Sequence, residues 1–184
     1  MDSYQDIRIL PDPEFGTELL MAALFAKLHR ALGQYAAGQV GVSFPRAAKT
    51  PGDILRLHGT AAALESFHQH PWLKGLRDHI DVSTIAAIPS EVKYRTVSRV
   101  QVKSNAERLR RRSVKKGWLS EEQALARIPD QQSQRTSLPF IQMKSLSNGE
   151  AFRLFIKQGE LLVSPTAGEF SAYGLSSTAT VPWF

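Results

Sequence analysis

Within the first ninety residues the apolar spacing switches back and forth between two residues and 3.6, and the order of those switches constrains the fold more than any other feature of the chain. In "YQDIRIL", Ile7 and Ile9 share one face and Asp6 and Arg8 the other, until Pro11 and Pro13 end the strand. From Glu18 to Tyr35, Leu20, Met21, Leu24, Phe25, Leu28, Leu32 and Tyr35 fall on one arc at helical period, which predicts an amphipathic helix lying on a sheet. Val40, Val42 and Phe44 alternate, as do Leu55 and Leu57, with a loop containing Pro45, Pro51 and Gly52 between them. Thr60 is placed to cap a helix over "AAALESFHQ", and the β-branched stretch Ile80 to Ile88 predicts a further strand.

The resulting order, β-α-β-β-α-β, is that of the split βαβ, ferredoxin-like pattern, to which the RNA-recognition fold belongs. The pattern hosts many activities, and the aromatic signature of base-stacking RNA-recognition strands is absent. After "IPSE" the composition changes. The expected class is α+β: a ferredoxin-like (RRM-like) βαββαβ domain over 1–90, and a C-terminal α+β domain over 91–184 carrying a basic helix at 104–116. In that second domain a strand is expected over Lys93 to Lys103, and short strands around Phe140, "FRLFIK", "ELLVS" and "FSAYGLS", with a polar connector near "PDQQSQRTS".

The basic helix dominates the electrostatics. Lys103 to Lys116 holds seven cations (Lys103, Arg108, Arg110, Arg111, Arg112, Lys115, Lys116) against Glu107, a local charge of +6 that equals the net charge of the whole chain. One dense stripe in an otherwise balanced chain points to a localised polyanion contact, nucleic acid or an anionic membrane. Ser104 and Glu107 stand in capping-box relation and Gly117 follows the last cations, so the helix is bounded at both ends. Arg108, Arg111, Arg112, Lys115 and Lys116 fall within one arc while Arg110 points away. A merely solvated helix normally alternates charge sign, and this one does not. In the preceding strand Val97, Arg99, Gln101 and Lys103 share a face. Arg and Gln form bidentate pairs with guanine and adenine edges, so the pair fits base reading, and equally fits an exposed polar strand face.

With 42% apolar residues the chain can bury a core, and with no cysteine it has no disulfide framework, thiolate zinc site or cysteine nucleophile. No apolar run reaches the ~20 residues of a membrane span and no cationic, apolar leader begins the chain, so it is read as cytoplasmic with no membrane contact. No metal-nuclease, zincin or phosphate-loop motif occurs, and neither a metal nor another cofactor is expected. Cleavage of RNA without a metal needs only a base for the 2′-hydroxyl, a positioning group and cationic support. Among His29, His58, His68, His70 and His79, His29 differs in placement: it borders the apolar arc of its helix next to Phe25 and can face a cleft.

"MDSYQDIRILPDPEF", "LFAKLHRAL", "GVSFP", "SRVQVKSNAERLRRR", "LPFIQMKSLSNGEAFRLFIKQG", "YGLSS" and "VPWF" closely resemble the type I-F CRISPR-associated repeat endoribonuclease, the sixth Cas family, subtype f, over essentially the whole chain. The resemblance implies metal-independent cleavage of precursor CRISPR RNA at the base of each repeat hairpin, followed by retention of the product stem in a guide-RNA effector complex with other Cas proteins. It puts the general base on His29, the serine that positions the 2′-hydroxyl on Ser145, and the tyrosine that orients the histidine on Tyr173. It puts base reading on Arg99 and Gln101, stacking on Phe152, the second serine of the cleavage loop on Ser147, and the groove helix on Arg108, Arg111, Arg112, Lys115 and Lys116; Lys103, a member of the charged stripe and of the Arg99 strand face, is counted with the RNA contacts. Lys115 and Lys116 stand where a relative has arginine, which keeps charge and loses the planar fork. Asn148 and the loop "RAAKTPGD" also depart from the relative's pattern. The alternatives are a non-catalytic hairpin-binding module and a regulator that lays the basic helix in duplex DNA.

Overall fold

The computed structural model describes residues 1–101, 106–128, 136–145 and 148–184, the side chains of 106–108 excepted. The chain is α+β, with two antiparallel sheets and, among the described residues, four α-helices. It divides into two compact units, one of residues 1–100 and 138–184, the other of residues 101–137. Ser90 lies within the first of these units, and both sheets contribute buried side chains to one cluster. None of the described helices is long and apolar enough to cross a membrane.

In the first unit, β1 (Ser3–Ile9) is followed by α1 (Thr17–Tyr35), β2 (Gly41–Ser43), β3 (Ile54–Gly59), α2 (Ala61–His68), one 3₁₀ turn at Arg77–His79, β4 (Ile80–Val82) and β5 (Ala86–Ala87). The strands stand in the order β2-β3-β1-β4, all antiparallel, with β5 also on β1. Alternation in β1 works as its sequence dictates: Ile7 and Ile9 are buried, while Asp6 turns to the other face and holds Arg56 across the register by two bonds of 2.7 and 2.9 Å. The single strand expected from Ile80 to Ile88 is broken in two. Ile7 faces Val82 and Tyr4 faces Ala86, so three steps along β1 meet four along its partner, a bulge whose extra residue leaves Ser83 to bond Asp6 through its backbone and its hydroxyl. Thr60 caps α2 by accepting from the Ala63 amide, as its position predicts.

The second sheet has the order β7-β8-β6-β9, from β6 (Lys93–Val100), β7 (Phe140–Lys144), β8 (Ala151–Gln158) and β9 (Thr180–Trp183). The buried face of α1, including Leu24, Phe25, Leu28 and Leu32, packs in the same core as Ile141, Met143, Leu154 and Ile156 of this sheet and Ile7, Leu55 and Leu57 of the first. "ELLVS" is not a strand and contributes one isolated bridge, Leu162 to Tyr94, and "FSAYGLS" is a turn.

The second unit contains α3 (Ala106–Lys115) and α4 (Glu121–Arg127). α3 ends as expected at Gly117: its φ is +70°, the Gly117 amide donates to Val114 O and the Trp118 amide to Ser113 O, which satisfies the last carbonyls in a Schellman turn. α4 begins in a capping box, Ser120 accepting from the Gln123 amide and Gln123 returning a bond to the Ser120 amide. Arg110, the cation that points away from the basic arc, donates from Nε to Ile128 O at 2.7 Å and so ties α3 to the end of α4. The cap expected at Ser104 lies outside the described residues.

Candidate active site and nucleic-acid interface

α1 presents Phe25 and His29 one helical turn apart, and the turn 171–174 lays Tyr173 across both. The His29 and Tyr173 rings stack with centroids 3.8 Å apart and planes 6° from parallel; Phe25 lies under the same tyrosine at 6.1 Å and 12°. His29 Nδ1 is 2.9 Å from the carbonyl oxygen of Ala172. A carbonyl only accepts, so Nδ1 carries the hydrogen, and in the neutral ring the lone pair is on Nε2. His29 is half-buried, fixed on one nitrogen and one face, which is the arrangement a general base requires.

The turn that supplies Ala172 and Tyr173 is itself fixed. Gly174 has φ +68°, and a Cβ there would collide with Val42 Cγ2 and come 3.3 Å from Leu32 Cδ1. Only glycine fits. Its carbonyl accepts from the Val42 amide at 2.8 Å, its amide donates to Ser171 O, and the Ser176 amide reaches Val97 O, so the turn is tied to β2, to itself and to β6.

Arg99 near the end of β6 extends the cluster. Its guanidinium stands 5.6 Å from the Tyr173 ring centroid and 5.3 Å from that of Phe152, beside the histidine and tyrosine stack. Phe152 pairs across the β7–β8 hairpin with Met143, and two residues beyond Met143 the hairpin turns at Ser145. The Ser145 amide donates to Glu150 O and its carbonyl accepts from Gly149, whose φ of +69° closes the turn. His29, Tyr173, Arg99 and Phe152 are thus joined by direct ring contacts, and Ser145 is held on the hairpin that carries Phe152.

Gln101 falls one residue beyond β6, in the second unit, so the strand face it was expected to share with Arg99 ends between them. Arg111, Arg112, Lys115 and Lys116 are exposed on α3 and its C-terminal turn. Lys103, Ser147 and the side chain of Arg108 lie outside the described residues. Sequence reasoning missed two parts of the site. The carbonyl of Ala172 has no residue-type signal, because any residue would supply it. Phe25 did carry one, its i, i+4 spacing from His29, but read as core.

The other histidines have packing roles. His58 is fully buried and bonded through Nε2 to Ser43 Oγ at 2.8 Å; desolvation, then the charge of Arg56, holds its pKa at about 3 and the ring neutral. Burial also lowers that of His68, His70 stacks on Tyr35 with centroids 3.7 Å apart, and His79 Nδ1 lies 2.9 Å from Asp12 Oδ2.

Comparison with known proteins matches the chain to one family. The profile of the CRISPR-associated protein family Cas_Csy4 matches residues 4–184. Over 184 residues, the full length of both chains, the protein is 59% identical to the CRISPR-associated endonuclease Cas6/Csy4 of Escherichia coli (strain UTI89 / UPEC). It is 48% identical over 187 residues to the protein of the same name from Pseudomonas aeruginosa (strain UCBPP-PA14), again over the whole of both. With the family profile covering all but three residues and two relatives aligned end to end, the chain belongs to the Cas_Csy4 family of CRISPR-associated proteins.

Proposed function

We propose that the chain is a metal-independent endoribonuclease that binds the hairpin of a CRISPR repeat and cuts precursor RNA at the base of the stem. The observation that carries the reading is the fixing of His29: Nδ1 donates to Ala172 O and one ring face lies on Tyr173, leaving Nε2 as the basic atom. The names of the full-length relatives, CRISPR-associated endonucleases, support it.

In this mechanism Nε2 of His29 takes the proton of the 2′-hydroxyl that precedes the scissile phosphate. Ser145 holds that hydroxyl in line with phosphorus, and Tyr173 keeps the imidazole from turning. The 2′-oxygen forms a bond to phosphorus, the bond from phosphorus to the 5′-oxygen breaks, and the leaving oxygen takes up a proton. The products are a 5′-hydroxyl and a 2′,3′-cyclic phosphate, or a 3′ phosphate once it opens. Arg99 and Gln101 read the lowest base pairs, Phe152 stacks at the foot of the stem, and Ser147 completes the cleavage loop. Lys103, Arg108, Arg111, Arg112, Lys115 and Lys116 take the phosphates of the groove. The first sheet, with its order β2-β3-β1-β4 and two helices, fits a ferredoxin-like domain over 1–90 beside an RNA-binding region over 91–184. The product stays on the protein in a cytoplasmic effector complex with other type I-F Cas proteins.

Incubation with a repeat hairpin in EDTA tests the reading. Cleavage at the stem base supports it; tight binding without cleavage would make the chain a hairpin-binding module, and preference for duplex DNA a regulator.

A further inference from the structure

The face of the second sheet that turns away from the core carries a surface that the cleavage reaction does not use. On β7, Phe140, Gln142 and Lys144 alternate with the buried Ile141 and Met143; on β8, Arg153, Phe155 and Lys157 alternate with the buried Leu154 and Ile156. The register sets Phe140 opposite Phe155, with ring centroids 5.6 Å apart, and Arg153 places its guanidinium 4.6 Å from the Phe140 centroid. Phe140 remains 36% exposed, and Lys144, Arg153 and Lys157 are exposed as well. None of these three cations has an ion pair among the described residues. No Asp or Glu stands on the strands of this face; Glu150, in the turn, is engaged with Asn148.

A half-open aromatic pair with three cations on its strands, and with Glu18 and Lys49 offsetting each other in charge at the Phe140 edge, matches a single-stranded nucleic acid. Rings accept bases of any identity by stacking, and cations take the phosphates between them. An acidic protein would answer the charge and leave the rings without partners of their own kind. Phe152 turns to the opposite side of the same sheet, toward Arg99 and Tyr173, so this strip is separate from the cleavage cluster.

We propose that this outer sheet face, centred on Phe140, Arg153, Phe155 and Lys157, binds single-stranded RNA that flanks the hairpin. The proposal rests on the reading of the chain as a hairpin ribonuclease. It makes the protein a two-site RNA binder, with the stem fixing register and the flank adding affinity without regard to sequence.

The test measures Kd at several salt concentrations for the full chain and Arg153→Ala/Lys157→Ala. The probes are a hairpin with a 2′-deoxy nucleotide at the cut position, bare or extended on its 5′ or its 3′ side by about ten unpaired nucleotides. One extension should tighten wild-type binding about tenfold and steepen the salt dependence by about 1.4, two phosphates at roughly 0.7 each. The double variant should lose both gains and keep the wild-type Kd for the bare hairpin. Lys157→Ala, which leaves Arg153 on Phe140, should lose about half of the added slope and serves if the double variant does not fold. Flanks that add nothing, or equal weakening of bare and extended hairpins, would overturn the proposal, and so would polyglutamate competing as well as an unrelated single strand of equal charge. Failure of wild type to bind even the bare hairpin would defeat the ribonuclease reading itself.

Discussion

Tyr173 holds the imidazole of His29 by parallel ring contact, at 3.8 Å, so the property that matters is its aromatic plane. Tyr173→Phe keeps that plane and should retain most cleavage. Tyr173→Ala removes the support of one ring face, leaving only the Nδ1 bond to Ala172 O, and should slow single-turnover cleavage on the order of 100-fold, with hairpin affinity little changed. Equal loss in both variants would assign the role to the phenolic hydroxyl instead. Gly174 bears on the same point through the backbone. A methyl group there is strained by φ +68° and collides with Val42, so Gly174→Ala should destabilise the fold by about 1–3 kcal/mol in urea unfolding. A variant as stable as wild type would show that the turn moves freely.

α3 is the element whose purpose is most open to titration. Arg112 and Lys115 are exposed, and among the described residues neither bonds to α4 as Arg110 bonds to Ile128 at its end. Arg112→Ala/Lys115→Ala should weaken binding to all hairpins and flatten the salt dependence by roughly two units, at about 0.9 per phosphate on the B-DNA scale. Bound RNA should still be cut at the normal place. Parallel salt slopes for the two proteins would mean that the stripe does not touch phosphate. Elements with strong local signals were legible in the sequence: β1 from its alternation, α1 from its arc, α2 from Thr60, and the end of α3 from Gly117. α4 was not, although "SEEQ" obeys the capping rule applied at Ser104, because only Ala124 of the helix is buried and an apolar arc is scarcely visible. β9 contains Pro182, which argues against a strand; the sheet accepts it because Tyr94, opposite, exchanges its hydrogen bonds with Leu162. Conversely "FSAYGLS" alternates like a strand, and the left-handed Gly174 makes it a turn.

Across the whole molecule, the parts of the candidate site come from α1, β6, the β7–β8 hairpin and the turn at 171–174, far apart in the chain. Helical spacing marked His29 as a cleft residue. Nothing in the spacing of Phe152 or Tyr173 predicted that they would join its ring contacts, or in that of Ser145 that it would end the strand beside Phe152; those positions came from the family resemblance, since long-range packing leaves no local period. The core that joins these elements also encloses His58, and this gives stability a pH dependence. Its folded pKa, about 3, lies below the ordinary 6.5, so between those values the unfolded chain binds a proton that the folded chain does not. Stability should therefore fall as pH drops from 6.5 toward 3, by at most about 1.4 kcal/mol per pH unit from this group. His58→Gln should show a shallower fall over the same window in urea titrations, and an unchanged slope would assign the acid sensitivity elsewhere. The central claim is that His29 is the base of a metal-free cut, and one measurement tests it most directly: single-turnover cleavage of a repeat hairpin in EDTA by wild type and by His29→Ala, with Kd measured alongside. Wild type should cut at full rate and His29→Ala about 100–10,000-fold more slowly at nearly the same Kd. Full activity in the variant, or a wild-type enzyme that is inert until magnesium is added, would contradict the account.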